Sequence, residues 1–189
     1  MAHGMGTSMN EDFHESDAGK FISRAKCFLE AARVLDNKMV DGRSHMLFAP
    51  ALHLAGHGLE LLLKGCLIHN GQSKVRAFGH RINDMWAVDL VEPLRLAAGR
   101  NADITHREAV ACGMFPDAEN INNPREVFEE YRSALGELHA ETRVFPIRYP
   151  TDDDRVGPKT PLLVGTLWLT ADDYVKRPDE FRTRNAILT

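Results

Sequence analysis

From Phe21 onward the apolar residues Phe21, Ile22, Ala25, Phe28, Leu29, Ala32 and Leu35 recur every three or four positions, the spacing of one helix face. This first helix is expected to end near Asp41-Gly42. A second begins around Ala49, with Ser44 upstream as a cap and Pro50 in the early turns, where a missing amide costs least. It runs to the stop signal Asn70-Gly71. His80 leads into a third helix with Ile82, Trp86, Leu90 and Leu94 on one face, a kink at Pro93 and an end at Gly99. A short helix over 105–114 and a turn at Pro116-Asp117 fill the mixed stretch that follows. Asn123-Pro124-Arg125-Glu126 combines an N-cap, a first-turn proline and a capping-box glutamate, and starts a fourth helix that reaches about Ala140.

Beyond residue 142 the pattern changes. The runs 144–149 and 162–169 are short and rich in β-branched, aromatic and aliphatic residues, separated by Pro150, Gly157, Pro158 and Pro161, which predicts a β-hairpin. Thr170 with Asp173 three residues on predicts a last short helix before Pro178. The expected fold is therefore mainly α, a four-helix up-and-down bundle over 17–142. A short C-terminal β-hairpin and helix (143–189) pack on it, and residues 1–16 form a flexible arm.

Composition narrows the picture. The 189 residues suit one domain, and 43% hydrophobic with 26% charged residues is an ordinary globular balance. A net charge of -4 excludes a basic field over the whole surface, so any nucleic-acid binding must be local. Three widely spaced cysteines without a Cys-x-x-Cys pair support neither a disulfide framework nor a cysteine zinc site, and point to a reducing cytoplasm. The polar N-terminus lacks the apolar core of a signal peptide, and no apolar run approaches the ~20 residues of a membrane span. No cofactor and no membrane partner are expected.

The second helix carries the chemistry. It is apolar almost all round, as a core helix is, yet His53, His57, Glu60 and Lys64 follow at steps of four, three and four residues and line up in one stripe. Gly56, Gly58 and Gly65 leave room for close backbone approach. The stripe is open to three readings: a solvated face, a polar seam in an interhelical or intersubunit cleft, or a metal site built on His53, His57 and Glu60, for which no HExxH signature or fourth ligand is evident.

The run from Leu52 through His53, His57, Glu60 and Lys64 to Gly65, then Leu67-Ile68 and Gly71, then Gly79-His80 leading to Trp86, resembles HEPN domains, the higher eukaryote and prokaryote nucleotide-binding helical bundles. The resemblance covers about 20–149. It implies a homodimeric four-helix bundle, in many members a metal-independent ribonuclease of toxin-antitoxin or phage-defence systems. In others it implies a non-catalytic module for a nucleotide or protein partner. RNA, a nucleotide and an antitoxin protein are the partners it suggests.

Active members pair an Arg with a His across four to six intervening residues, an arrangement in which Arg holds phosphate and His moves protons near neutral pH. Two pairs here fit, Arg132 with His139 and Arg100 with His106, and about two matches are expected by chance. Placement favours the first: seven helical residues turn through about 700°, so Arg132 and His139 share a face with Phe128 and Leu135, whereas Arg100 and His106 would lie about 120° apart. Arg100 and His106 are the backup pair, and Glu60, Lys64 and His80 would orient the site. Asp152-Asp153-Asp154 reads as a solvated acidic loop, Arg143, Arg148 and Tyr149 as strand residues, and Trp86 and Trp168 as core or interface anchors.

Overall fold

The computed structural model describes residues 8–40, 45–140 and 158–183, and every regular element among them is helical. The helices are α1 (Ser8–Glu15), α2 (Asp17–Val40), α3 (Phe48–His69), α4 (Ile82–Trp86), α5 (Glu92–Cys112), α6 (Pro124–His139) and α7 (Thr160–Lys176). The mainly α class matches the periodicity. The four-helix count and the hairpin do not match, because α7 occupies the place expected for the second strand.

The run 162–169 lies inside α7, whose buried residues include Leu162, Leu163, Val164, Leu167, Ala171 and Tyr174. A helix buried on most sides shows no polar alternation, so its apolar run reads the same as that of a buried strand. Pro161 sits in the first turn of α7, where its missing amide is harmless. Thr170 is internal to the helix rather than a cap, its hydroxyl donating to the Thr166 carbonyl at 2.8 Å. The other expected strand, 144–149, lies outside the described residues, as do Ser44, Arg143, Arg148 and the three aspartates.

α7 fills the space between α2 and α5 and runs antiparallel to both. Along α2 it pairs Asp172 with Lys26 and Thr160 with Asp36; along α5 it sets Gly165 against Thr105 and Thr170 and Asp173 against Asn101. α2 and α3 are antiparallel neighbours packed tightly at two glycines: a Cβ on Gly58 would stand 2.7 Å from Leu29, and one on Gly65 2.5 Å from Ile22.

The third helix of the sequence reading is two helices. α4 stops at Trp86, a 3₁₀ turn covers Asp89–Val91, and α5 starts at Glu92 with Pro93 in its first turn rather than at a kink. α5 then runs through Gly99 and ends at Gly113, which takes the left-handed conformation at φ +60°. The region read as an arm also contains structure: α1 turns into α2 at Ser16, whose Oγ accepts from the Gly19 amide at 3.1 Å and donates to the Phe13 carbonyl. Phe13 is buried there, its ring 4.8 Å from that of His69. One aromatic residue at the right register is enough to dock a short polar helix, and periodicity gives no sign of it.

Among the described helices α3 alone is long and apolar enough to cross a membrane, contrary to the sequence reading, but 67% of its most apolar stretch is buried by the other helices. Its C-terminal end is tied by Asn70, whose Nδ2 donates to the carbonyls of Cys66, Leu90 and Phe181 and whose Oδ1 accepts from the Thr183 amide. α4 and α6 cover the opposite, polar side of α3. That side holds the site.

Candidate functional site

Glu60 sits at the middle of α3 and is 3% exposed. A lone carboxylate at such a position would not stay charged, so its partners decide its state. Lys64, one turn on, donates from Nζ to Oε1 at 2.6 Å. Oε2 receives two imidazoles, His80 through Nδ1 and His139 through Nε2, each at 2.9 Å. His57 places its Nδ1 3.9 Å from the same oxygen. Burial raises the carboxyl's affinity for a proton, but the hydrogen bonds from His139, His80 and Lys64 outweigh it and hold Glu60 well below the usual carboxylate range.

The rings form a layer around this carboxylate. His139 lies 6.4 Å from His53, 6.5 Å from His57 and 6.0 Å from His80, centroid to centroid. Gly56 is what admits His139, since a Cβ there would come within 2.7 Å of its Nδ1. The side chain of His139 is 1% exposed, while His57 and His80 are about one-third exposed and Lys64 14%. The cluster thus has a dry back, Glu60 and His139, and a wet front, His57 and His80. Burial lowers the pKa of His57, opposed by the charge of Glu60.

Glu60 therefore joins Lys64, His80 and His139 through hydrogen bonds, with the rings of His57 and His53 beside His139, a grouping that agrees with the polar-seam reading of the stripe. Arg132 shares the buried face of α6 with Phe128, Leu135 and His139, as the seven-residue spacing predicts. Its guanidinium, however, is directed elsewhere: it donates to Asn83 Oδ1 and to Glu129 Oε2, and stands 5.0 Å from the centre of the Trp86 ring. Arg132 is 8% exposed. A phosphate on this side of α6 would have to displace Asn83.

Arg100 and His106 are not brought together. His106 is bonded through Nε2 to the Ala118 carbonyl at 2.8 Å, bracing the turn after α5, while Arg100 is exposed beside Leu96, Glu180 and Arg182. Asn83 is the neighbour of Arg132 that the sequence did not single out. It donates from Nδ2 to the Ser133 carbonyl and lies over Gly136, where a Cβ would meet it at 2.2 Å. The only sign of it in the sequence is the pairing of a small residue on α6 with a polar one on α4.

No family model, no curated protein and no solved structure matches this chain. What fold and site define is an all-α helical domain with a charged carboxylate–imidazole–ammonium centre set between two helices.

Proposed function

We propose that this centre is the acid–base site of a metal-independent ribonuclease, in keeping with the HEPN-like character of 52–86, and that the protein works as a homodimer of a toxin-antitoxin or phage-defence system. The observation that carries the reading is the His80 ring. A buried, ionised carboxylate accepts from its Nδ1 while the ring itself is about one-third exposed, so Nε2 lies on the side of the ring away from Glu60. A carboxylate that holds one imidazole nitrogen sets the tautomer and orientation of the ring, which is the support a general base needs.

In this reading His80 Nε2 removes the proton of a ribose 2′-hydroxyl. The oxygen attacks the adjacent phosphorus, the bond to the 5′-oxygen breaks, and the protonated form of His57 returns a proton to that leaving oxygen, giving a cyclic phosphate and a 5′-hydroxyl. Lys64 supplies positive charge beside the reacting phosphate. His139 and Glu60 are positioning residues, which reverses the emphasis of the family resemblance, where Arg132 and His139 would do the chemistry.

The test is cleavage of a mixed RNA pool in EDTA by the full chain and by His80→Gln, Arg132→Ala and His139→Ala variants shown to be folded. Loss of about 10²-fold or more in His80→Gln supports the assignment, because general-base removal costs that much. Full activity in His80→Gln with loss in Arg132→Ala and His139→Ala would return the chemistry to the buried pair. A second reading, a non-catalytic dimeric module for a nucleotide or protein, draws on the saturation of Glu60 by Lys64, His80 and His139, and absence of cleavage under all conditions would favour it.

A further inference from the structure

The same cluster has a second chemical capacity. Two imidazoles and a carboxylate, His57, Glu60 and His139, present one ligand atom each within 4.8 Å of one another. We propose that these three residues bind a single zinc-type transition-metal ion, with a fourth position open to water. The donors come from two helices: His57 and Glu60 are one turn apart on α3, and His139 reaches them from α6 over Gly56.

The distances fit such an ion with little movement. In a tetrahedral zinc site with bonds of about 2.0–2.1 Å, ligand atoms lie roughly 3.3 Å apart. Here Glu60 Oε2 is 2.9 Å from His139 Nε2 and 3.9 Å from His57 Nδ1, so the ring of His57, which is one-third exposed, has to approach slightly and that of His139 to yield slightly. Glu60 Oε1 is already committed to Lys64, which leaves Oε2 as the ligand atom and gives the carboxylate a supporting hydrogen bond. A donor set of two nitrogens and one oxygen suits Zn²⁺ and Co²⁺ and is poor for Mg²⁺ and Ca²⁺, which take oxygen ligands.

The balance is a simple exchange. The proton now shared between His139 Nε2 and Glu60 Oε2 leaves to solvent when the metal enters, so uptake releases acid. His80 is left as a hydrogen-bond donor to the carboxylate. Metal binding is read on the protein alone, so the inference does not rest on RNA cleavage.

The experiment is titration of Co²⁺ into the metal-free full chain, followed by competition with Zn²⁺. One equivalent of Co²⁺ with the intense visible bands of a four-coordinate ion, displaced by Zn²⁺, is the expected result. His57→Ala, which removes a side chain about one-third exposed and whose fold is checked by circular dichroism, should weaken uptake by about 100-fold. His106→Gln, on a histidine outside the cluster, should leave it unchanged. A spectrum of hydrated six-coordinate Co²⁺, or bands that persist in His57→Ala, overturns the proposal.

Discussion

Glu60 and Asp36 are carboxylates taken out of water to the same degree, 3% and 4% exposed, and the molecule treats them in opposite ways. Glu60 has three hydrogen-bond donors and is held charged. Among the described residues Asp36, near the end of α2, has the Thr160 hydroxyl and the charge of Arg33 to offset desolvation, and burial pushes its pKa up to about 6. Its Oδ1 has no hydrogen-bond partner among the described residues, and Phe48, Met114 and Phe115 line the same hollow. Burial alone therefore does not mark a functional carboxylate. What separates the two is the number and type of donors that converge on the oxygen atoms.

The sharpest way to break the contrast is to remove each carboxylate. Glu60→Ala strands Lys64, His80 and His139 around an empty centre and should cost about 3–5 kcal/mol in denaturant unfolding. A loss under about 1 kcal/mol would show that the network is not holding α3 to α6. Gly56→Ala drives a methyl against His139 and should cost about 1–3 kcal/mol through overpacking, with His139 displaced from Glu60.

Asp36→Asn should act with the opposite sign. A group whose folded pKa is raised contributes stability below its unfolded value, and this contribution is lost as pH rises through the folded value. Wild type is accordingly penalised above about pH 6 and not at pH 4. The Asn variant should be more stable at pH 7 by about 1–2 kcal/mol and indistinguishable at pH 4, in paired thermal melts. A destabilised variant at pH 7 would mean that Asp36 is charged and bonded after all. The smallest effect is expected for His57→Ala, within about 0.5–1 kcal/mol, because its ring lies at the wet edge of the cluster.

A third titrating group gives an independent pH signature. His69, whose Nδ1 meets the Tyr174 hydroxyl at 2.9 Å, has its pKa lowered to about 4, first by burial and then by the charge of Arg182. Below about pH 6.5 the unfolded chain binds a proton that the folded chain refuses, so stability falls as pH drops from there to about 4, by on the order of 2 kcal/mol. His69→Gln should flatten that limb of the stability profile.

Much of this arrangement was legible in the chain. The stripe His53, His57, Glu60 and Lys64 stands out within an otherwise apolar helix but leaves a solvated face, a polar seam and a metal site all open, and the glycine at 56 marks room for a close approach without naming His139. The seven-residue interval placed Arg132 and His139 on one buried face. Period and spacing, however, say which residues share a face and not what stands opposite. The engagement of Arg132 by Asn83 belongs to tertiary structure, because α4 and α6 are far apart in sequence. α7 was misread for a related reason: with neighbours on most sides it has no polar face, so 162–169 carried no helical period to detect. Phe13 shows the same limit at the other end, a single residue docking a helix whose sequence is otherwise polar.

The central claim is that Glu60 fixes the imidazole of His80 by its Nδ1 and turns Nε2 outward. Nitrogen-detected NMR of ¹⁵N-histidine protein in EDTA, at pH 8 where imidazole is ordinarily neutral, reads the tautomers directly. The account predicts His80 protonated at Nδ1 and His139 at Nε2, with both signatures lost in Glu60→Gln. His80 protonated at Nε2, or a spectrum that Glu60→Gln leaves unchanged, would contradict it.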